Sequence, residues 1–390
     1  MINKILYTGS FRYPDIDAAA FRVNGVCKLF SERGCDIEIA GWESNNKAYT
    51  YDGYQCHPQN EFNDGRESNA IRRLIGFIFR GTKTFKWIRK NNRFDLYILY
   101  NPPAYFSLLM LLWAKLSGRK IALDITEWYE SSHLIGGKYG LVSIENWIRM
   151  KIVYPMFDNI IVISKFLEDY FKSRGSVNVM RCYPLSHNTC DSDPFSSQEV
   201  GKPTIDFIYA GQPGKKDLLI DFIKGIPDLE MKLGRKVIFH IVGPKKEAFL
   251  DMARENGFCF DNVKSNLVFY GLLSREQVFE LYKKSDFSVL FRENKRYAKA
   301  GFPTKGMESL VNGCPIILND VGDISLVVKD IHGGIVSQPD NISFIADSII
   351  NRQFIRRSIS KDAMKYFSRE NYTHAISEFI KGVSCVQYRN

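Results

Sequence analysis

A short segment, residues 292–315, combines groups that bind phosphate with one well-placed carboxylate. Its cationic side chains are Arg292, Lys295, Arg296 and Lys305. An apolar run, Ser288–Phe291, predicts a buried strand just before them. Pro303 suits the first turn of a following helix, because proline has no N–H group to leave unpaired there. The segment therefore predicts a strand, a loop and the start of a helix.

The start of this predicted helix offers a site for a pyrophosphate. The N–H groups of Thr304, Lys305 and Gly306 have no carbonyl partner within the helix, and the helix dipole adds partial positive charge. Glu308 lies one turn further along, where its carboxylate can accept hydrogen bonds from a vicinal diol such as a ribose. Together these groups point to a sugar nucleotide. The alternative is an ordinary strand and helix whose charged side chains are solvated.

Short apolar runs alternate with helical stretches along the chain, which predicts βαβ units and parallel sheets. The strands predicted for a first sheet are Lys4–Thr8, Asp36–Ala40, Leu96–Leu99, Lys120–Asp124 and Asn159–Ile163. Those predicted for a second sheet are Ile205–Tyr209, Val237–Val242, Leu267–Phe269, Phe287–Leu290, Pro315–Leu318 and Gly334–Val336. The expected fold class is α/β, with two Rossmann-like parallel-sheet domains facing across a cleft and ligands at the carboxyl ends of the strands.

Composition sets outer limits on this fold. The chain has 390 residues, of which 45% are hydrophobic, and this length suits two globular domains. No apolar run reaches the roughly 18 to 20 residues that span a bilayer, and Ala104–Leu116, which contains Lys115, predicts a buried helix. Eight cysteines without a Cys-x-x-Cys pair disfavour a zinc site and a disulfide framework. The N-terminus lacks a signal-peptide layout, so we expect a cytoplasmic protein.

The net charge of +10 is concentrated in one segment. Residues 66–93 carry nine Lys or Arg against one acid, Glu67, and apolar residues lie between them. This pattern predicts one or two basic amphipathic helices that dock on an anionic membrane surface through Arg66–Arg93. The alternative is a solvated helix packed on the sheet. We expect no nucleic-acid partner, because no recognised nucleic-acid motif is present.

Four motifs in the second half resemble glycosyltransferases of family 4, which have the two-domain GT-B architecture. They are Tyr209–Leu218, His240–Gly243, Val268–Leu273 with Leu281–Asp286 after it, and the segment 292–315 with its Gly-Phe-Pro-Thr-Lys-x-x-Glu core. The resemblance spans nearly the whole chain and is strongest after residue 203. It implies transfer of a sugar from a nucleotide-diphosphate sugar, usually with retention, to a glycan or polyprenyl-linked acceptor in surface polysaccharide biosynthesis.

The resemblance also implies a set of donor-binding residues. Gly211 lets the backbone approach the diphosphate, and Lys216 or Lys215 neutralises the charge that develops on the leaving group. Glu308 matches the second Glu of the family's paired-Glu motif, which holds the ribose, whereas the first Glu falls at Ala300. Lys216 and Glu308 are therefore expected catalytic residues. The remaining donor contacts are expected from Leu272 and Leu273 to the base, from Arg292, Arg296, Thr304 and Lys305 to phosphate, and from the backbone of Gly301 and Phe302 to the sugar.

The acceptor is expected to bind the first domain. Asp124 and Glu127 follow a predicted strand and are expected on a loop, where Glu127 would orient the acceptor hydroxyl or relay its proton as a third catalytic residue. Gly9 and Ser10 end the first strand and could line the same site. Trp128 offers a stacking face for a sugar. The alternatives are a structural hydrogen bond for Glu127, core packing for Trp128, and proton transfer to the leaving phosphate itself.

The expected domains are an acceptor domain, 1–190, and a donor domain, 204–367, joined by a linker, 191–203. A C-terminal helix of about residues 368–390 is expected to pack back on the first domain. No cofactor and no obligatory metal are expected, since the Asp-x-Asp patterns at 15–17 and 191–193 lie in a loop and in the linker.

Two other functions stay open. One is an isomerase of the same fold acting on a sugar nucleotide, and the other is a non-catalytic nucleotide-sugar binding module, which the missing Glu at Ala300 would permit. In every case the expected partner is a nucleotide sugar. For the transferase, a peripheral position on the inner face of the cell membrane is expected.

Overall fold

The computed structural model describes residues 2–14, 18–44, 47–62, 70–186, 202–213, 217–255 and 257–385, with the side chains of 70–73 excepted. The chain forms two compact units. One combines Met1–Leu185 with Arg369–Asn390, and the other is Ser186–Ser368. The expected linker, 191–203, falls mostly outside the described residues.

The first unit is built on a mainly parallel sheet. Its strands are β1 (Lys4–Gly9), β2 (Asp36–Ala40), β3 (Tyr49–Tyr51), β4 (Tyr54–Cys56), β5 (Leu96–Tyr100), β6 (Lys120–Ile125), β7 (Asn159–Val162) and β8 (Asn178–Arg181). Within the described residues they form one eight-stranded sheet in the order β3-β4-β2-β1-β5-β6-β7-β8. Among the described strands of this sheet, only β3 and β4 pair in antiparallel orientation. All five strands predicted for this domain are present.

The second unit is built on a fully parallel sheet. Its strands are β9 (Thr204–Ala210), β10 (Lys236–Val242), β11 (Leu267–Gly271), β12 (Phe287–Leu290), β13 (Ile316–Leu318) and β14 (Gly334–Val336). Across the part of the chain that the structure describes, their order is β11-β10-β9-β12-β13-β14. All six predicted strands are present. Their carboxyl ends share one edge of the sheet, as expected for parallel strands.

Helices cover both sheets. They are α1 (Ala18–Ser31), α2 (Ala70–Ile78), α3 (Thr82–Lys90), α4 (Ala104–Ser117), α5 (Leu141–Ile148), α6 (Lys165–Ser173), α7 (Leu219–Lys224), α8 (Ile226–Leu233), α9 (Lys246–Glu255), α10 (Arg275–Lys284), α11 (Arg296–Ala300), α12 (Thr304–Val311), α13 (Asp323–Asp330), α14 (Ile342–Asn351), α15 (Arg356–Tyr366) and α16 (Thr373–Cys385). Short helical turns lie at Ser131–His133, Gly137–Tyr139, Arg149–Val153, Tyr154–Met156, Lys264–Asn266 and Glu370–Tyr372.

The C-terminal helix α16 packs on the first unit. The Asn178 side chain of β8 donates a hydrogen bond of 2.9 Å to the Phe379 carbonyl oxygen. The Phe379 ring also contacts the Phe30 ring of α1, with 6.4 Å between the ring centroids. The last described residues of the chain therefore belong to the same unit as the first.

Helix α4 corrects one prediction. A buried helix was expected here, but only its inner face, which includes Phe106 and Met110, is buried. Leu112 and Leu116 on its outer face are exposed. Apolar content alone does not reveal this difference, because both faces carry leucines or other apolar residues. No helix among the described residues is both long and apolar enough to cross a membrane.

The hydrophobic core of the second unit holds its strands in place, so that their carboxyl ends lie close together. Aromatic side chains dominate it, and Phe207, Phe222, Phe239 and Phe291 are fully or almost fully buried. Phe222 belongs to α7, and its ring contacts those of Phe207, Phe239 and Phe291, with centroids 5.6 to 5.8 Å apart. This packing fixes β9, β10 and the end of β12 side by side. The residues that follow these strands therefore meet at one edge.

Candidate active site

Two glycines, Gly211 and Gly243, lie at the carboxyl ends of neighbouring strands in the second unit. Gly211 follows β9, and its N–H donates to the Val242 carbonyl oxygen at 2.8 Å. Gly243 follows β10, and its N–H donates to the Gly271 carbonyl oxygen at 2.7 Å. Gly211 and Gly243 have φ values of 141° and 119°, in the region that favours glycine. A Cβ on Gly243 would overlap the Gly211 carbonyl oxygen, so the edge is bare backbone that a ligand can approach closely.

A polar cluster lies beside Gly211. The Lys305 Nζ atom is 3.0 Å from the Tyr209 hydroxyl and 3.5 Å from the Asp217 Oδ2 atom. The Tyr209 hydroxyl donates to the same Asp217 oxygen at 2.5 Å. On its other side, Asp217 Oδ1 lies 3.6 Å from the Arg292 Nε atom. One nearly buried carboxylate therefore holds a lysine, an arginine and a tyrosine together.

The backbone around Arg292 is fixed by its neighbours. Asp217 and Arg292 form an isolated antiparallel bridge, and the Leu218 N–H donates to the Phe291 carbonyl oxygen at 2.9 Å. The Asn319 side chain, just after β13, accepts from the Arg292 N–H at 2.9 Å and donates to its carbonyl oxygen at 2.7 Å. Three chain segments thus meet at Arg292, which keeps its side chain in the cluster.

The surroundings shift the pKa values in this cluster. Burial lowers the pKa of Lys305, the Arg292 charge lowers it further, and the Asp217 carboxylate opposes both effects. Burial raises the pKa of Tyr209, and the negative charge of Asp217 adds to this rise. The Tyr209 hydroxyl therefore stays protonated and acts as a donor, while Asp217 helps Lys305 to keep its proton.

The first turn of α12 has two of the three unpaired N–H groups that were expected at this helix start. Helix α12 begins at Thr304, and among the described residues no acceptor is found for the N–H groups of Thr304 and Lys305. The expectation for Gly306 is wrong, because its N–H donates to the Pro303 carbonyl oxygen at 3.0 Å. Two backbone donors, rather than three, therefore remain available to an anion at this helix start.

Glu308 is held one turn further along α12. Its Oε1 atom accepts a hydrogen bond of 3.1 Å from the Arg275 Nε atom, and 21% of its side chain is exposed. Burial raises the pKa of Glu308, and Arg275 opposes this rise. Arg275 begins α10 and was not predicted as a site residue. No motif marked it, since the contact joins residues from two separate helices.

The segment before α12 differs from the expected loop. Residues Arg296–Ala300 form the short helix α11, and Ala300 is fully buried. The Gly301 N–H donates to the Tyr297 carbonyl oxygen at 3.1 Å, so a sugar contact by Gly301 would have to use its carbonyl oxygen. The Phe302 side chain is buried and packs edge-on against Phe367, with ring centroids 5.7 Å apart.

The remaining donor residues lie at the same edge or outside the described part. Leu272 directly follows β11 and is 83% exposed, so its side chain is available to a base. Leu273 instead packs against the cluster that contains Ile208 and Val242. The expected catalytic Lys216 and its neighbour Lys215 lie outside the described residues. Their contacts to the donor stay predictions.

In the first unit, the structure brings Gly9, Ser10 and Glu127 to one edge of the sheet. Gly9 ends β1, and the Ser10 N–H donates to the Tyr100 carbonyl oxygen of β5 at 3.0 Å. Glu127 follows β6 and its side chain is exposed. Between these strands the Asn101 side chain donates to the Thr126 hydroxyl at 2.7 Å and accepts from the Thr126 N–H at 3.0 Å. Asn101 and Thr126 were not predicted.

Asp124 corrects a prediction on the acceptor side. It lies within β6 rather than on a loop, and none of its surface is exposed. Its Oδ1 atom lies 2.9 Å from the Arg22 Nη2 atom, and its Oδ2 atom accepts from the Tyr7 hydroxyl. These buried partners occupy the carboxylate. The acceptor-binding role expected for Asp124 is therefore wrong, and its role is structural.

Trp128 corrects a second prediction. Only 4% of this residue is exposed. Its ring lies 4.5 Å from the Tyr170 ring and 4.9 Å from the Lys151 Nζ atom. The ring is therefore packed in the protein and offers no open face to a sugar, as the core-packing alternative held.

The described part of the chain contains no group of three or more His, Cys, Asp or Glu placed to hold a metal ion. The two Asp-x-Asp patterns lie outside it.

Comparisons with known proteins find a family match in the second half of the chain. Residues 192–370 match the model of the family described as Glycosyl transferases group 1. This match falls almost entirely on the second unit, Ser186–Ser368. An uncharacterized glycosyltransferase of Methanocaldococcus jannaschii, MJ1607, is 22% identical over 156 residues, which cover 38% of this chain and 37% of that relative. The match thus spans little more than a third of the relative's length.

Solved structures resemble the chain over almost its full length. The lipopolysaccharide outer core galactosyltransferase WaaB has a TM-score of 0.62 and 17% identity, covering 97% of this chain and 99% of its own. Anabaena Alr3699/HepE, solved in complex with UDP and glucose, has a TM-score of 0.63 and 11% identity with the same coverage, 97% and 99%. These likenesses show the GT-B fold. Together with the family match, they support the prediction of a glycosyltransferase enzyme.

Proposed function

We propose that this protein, whose second unit matches the glycosyl transferases group 1 model, moves a sugar from a nucleotide-diphosphate sugar to a glycan or lipid-linked glycan acceptor. The proposal includes retention at the anomeric carbon and a role in surface polysaccharide biosynthesis. One observation carries it: the bare backbone at Gly211 lies against the Lys305 side chain, and Glu308 follows on the same helix. A diphosphate and a ribose fit this order of groups.

Lys305 and Arg292 supply the charge that a diphosphate requires. The N–H groups of Thr304 and Lys305 add two backbone donors at the helix start. Asp217 offsets one of the two side-chain cations, yet it also keeps both in place and helps Lys305 to stay protonated. Because these cations stabilise the charge on the leaving group, the proposed reaction needs no obligatory metal.

Glu308 is the proposed ligand of the ribose hydroxyls. Its carboxylate already accepts a hydrogen bond from Arg275, and its remaining lone pairs can accept two hydroxyl protons. The HepE structure contains UDP, which supports a nucleoside diphosphate as the leaving group here. Leu272 is the proposed contact to the base, because its side chain is exposed directly after β11, which lies beside β10 in the sheet.

The proposed transfer breaks one bond and forms another on the same face of the sugar. The bond between the anomeric carbon and the phosphate oxygen breaks, and its electron pair stays on the diphosphate. The acceptor hydroxyl oxygen bonds to the anomeric carbon, and its proton passes to the leaving phosphate oxygen. Glu127 is the proposed orienting group for that hydroxyl, with Gly9 and Ser10 beside it.

The proposed place of action is the inner face of the cell membrane. The basic segment Arg66–Arg93 supports this, since Lys83, Lys86, Arg89 and Lys90 of α3 are exposed in the structure. The structural similarity to WaaB, a lipopolysaccharide outer core galactosyltransferase, supports a surface glycan or its lipid-linked precursor as the acceptor.

Incubation with nucleotide sugars tests the proposal and its alternatives. Release of nucleoside diphosphate, slow without acceptor and faster with a glycan acceptor, supports a transferase. An epimer of the donor formed without acceptor would instead identify an isomerase, and binding without any turnover would identify a binding module. Glu308→Ala should abolish turnover, whereas Glu280→Ala, at an exposed acid on α10, should not. Equal turnover by both variants would remove Glu308 from the site.

A further inference from the structure

The segment between β6 and β7 exposes an unusual number of large apolar side chains. Ile135 is 88% exposed, Tyr139 is 83% exposed and Trp147 is 56% exposed. The further exposed members of residues 131–156 are Leu141, Ile144, Ile152 and Met156. Soluble proteins rarely expose so many apolar residues in one stretch without a partner for them.

Helix α5 in this segment buries its polar face and exposes its apolar face. Its inner face buries polar residues: the Ser143 hydroxyl donates to the Gly137 carbonyl oxygen at 2.5 Å, and the Asn146 side chain donates to the Tyr129 carbonyl oxygen at 3.2 Å. Its outer face presents Leu141, Ile144 and Trp147. An ordinary surface helix shows the opposite pattern. Hydrogen bonds therefore hold α5 on the protein through its polar face. Its apolar face is left exposed and could contact a nonpolar environment outside the protein.

A second group of exposed apolar side chains lies at α2, and both this group and α5 contact the start of α4. The Glu145 Oε1 atom of α5 accepts from the Ala104 N–H at the start of α4, at 2.9 Å. The Phe79 ring, just after α2, packs against the Tyr105 ring at 4.9 Å. Ala104 and Tyr105 are adjacent, so α2 and α5 flank the same turn of α4. The exposed apolar side chains at α2 are Leu74, Ile75, Ile78 and Phe79.

The charges around this face suit an anionic surface. Residues 131–156 contain one acid, Glu145, which is occupied by the Ala104 N–H and lies 3.8 Å from the Arg149 Nε atom. Lys138 is exposed in the loop that carries Ile135 and Tyr139. The exposed cations of α3 follow directly after α2. A lipid bilayer with anionic headgroups offers both an apolar interior and negative charge, which matches this combination.

We propose that residues 131–156 and α2 form one membrane-inserting surface, with the side chains of Ile135, Tyr139, Leu141, Ile144 and Trp147 in the headgroup and upper acyl region. This inference rests on the proposed function for its reason, a lipid-linked acceptor. The inserting segment begins four residues after Glu127, so it brings the acceptor edge of the first unit to the membrane. The basic segment supplies attraction, and residues 131–156 supply insertion.

Trp147 provides a direct readout. We would mix the full chain with vesicles of phosphatidylcholine alone or with phosphatidylglycerol added, and record tryptophan fluorescence. Insertion predicts a blue shift with anionic vesicles and quenching by lipids brominated on their acyl chains. Trp42 and Trp128 are buried, Trp87 and Trp113 are partly exposed, and Trp147 is 56% exposed. The Trp147→Phe variant should therefore lose more of both signals than Trp87→Phe or Trp113→Phe does. An unchanged spectrum of the wild-type protein on anionic vesicles would overturn the proposal.

Co-sedimentation with the same vesicles provides the second arm. The double variant Ile135→Asp/Ile144→Asp should bind anionic vesicles about tenfold more weakly or worse, because each change removes apolar area and adds a repelled charge. Met231→Asp is the matched control, at a 75% exposed residue of α8 in the second unit, and should bind as the wild type does. Equal binding by both variants would contradict the proposal. So would a wild-type dimer that the double variant disrupts, because it would identify a second copy as the partner.

Donor binding separates this inference from the proposed function. The double variant should keep the thermal stabilisation that a nucleotide sugar gives to the wild-type protein, since its changes lie in the other unit. Vesicle binding without any donor binding would leave the surface standing and refute the transferase. Donor binding without vesicle binding would refute the membrane-inserting surface and leave the proposed transferase standing.

Discussion

The Lys305 ammonium group lies directly against the backbone of Gly211, so closely that a Cβ on Gly211 would overlap the lysine Nζ and Cε atoms. Gly211 follows β9, and Lys305 belongs to the first turn of α12. The two residues are far apart in sequence. Their contact places a cation beside bare backbone, and this is the feature on which the proposed diphosphate site depends.

Gly211→Ala should weaken donor binding. A side chain at φ 141° is strained, and its Cβ would displace Lys305 from its position. We expect the Kd of the donor to rise about tenfold or more, a loss of at least ~1.4 kcal/mol in binding. Gly234→Ala is the matched control, with φ 61° and no atom near its Cβ. Calorimetric titration decides, and equal donor affinity in the two variants would speak against the site.

Asp217→Asn should impair the site without touching the donor-binding cations themselves. The change removes the negative charge that opposes the lowered pKa of Lys305, so Lys305 should lose its proton at a lower pH than in the wild type. The expected result is a donor-binding profile whose alkaline limb moves toward neutral pH. Tyr209→Phe keeps the carboxylate and should shift this limb less. An unshifted limb in Asp217→Asn would contradict the positioning role.

Lys305→Arg tests the same alkaline limb from the other side. Burial lowers the pKa of Lys305, so the wild-type protein should lose donor affinity as pH rises, below the pH at which an exposed lysine titrates. Arginine stays charged throughout this range, so the variant should keep its affinity at high pH even if its affinity near neutral pH is lower. If the alkaline loss persists unchanged in Lys305→Arg, another group causes it.

Glu308 should control the acidic limb. Burial raises the pKa of Glu308 above the usual value of 4.5, so on acidification the carboxylate is protonated earlier than an exposed glutamate. A protonated carboxyl accepts fewer hydroxyl hydrogen bonds, and donor affinity should fall with falling pH. Glu308→Gln should bind more weakly at neutral pH and show a flatter acidic limb. The same acidic limb in wild type and variant would exclude Glu308 as its cause.

Asp124 and Glu127 should respond in opposite ways. Asp124→Ala leaves Arg22 buried without its ion-pair partner, which should cost about 3–5 kcal/mol in the free energy of unfolding, measured in urea. Glu127→Gln, at an exposed residue, should leave stability unchanged and slow transfer to the acceptor more than hydrolysis of the donor. A stable Asp124→Ala protein that had lost only acceptor transfer would restore the acceptor role to Asp124.

The sequence predicts eleven of the fourteen described strands, because each of these is a compact apolar run between breakers. It does not predict β3, β4 and β8, because each of these short strands contains a polar residue and is only partly buried, so none forms an apolar run. It places Glu308 and Lys305 correctly on the helix that follows Pro303. In these cases the local pattern and the tertiary structure carry the same information.

Contacts between distant residues explain what the sequence could not predict. Asp217 and Tyr209 belong to a quoted motif, but only the fold shows that they hold Lys305. Asp124 ends an apolar run and resembles an active-site acid until Arg22, from α1, is found beside it. Likewise, the outward apolar face of α5 follows from polar partners for Ser143 and Asn146 that no periodicity reveals.

A thermal-shift titration with a panel of UDP- and GDP-sugars tests the central claim most directly, because a donor that binds only the folded state raises its melting temperature. The account predicts that at least one donor raises the Tm of the wild-type protein in a concentration-dependent way, and that Glu308→Ala abolishes or strongly reduces this rise while Glu280→Ala preserves it. A wild-type Tm that no nucleotide sugar changes, or a full rise in Glu308→Ala, would contradict it.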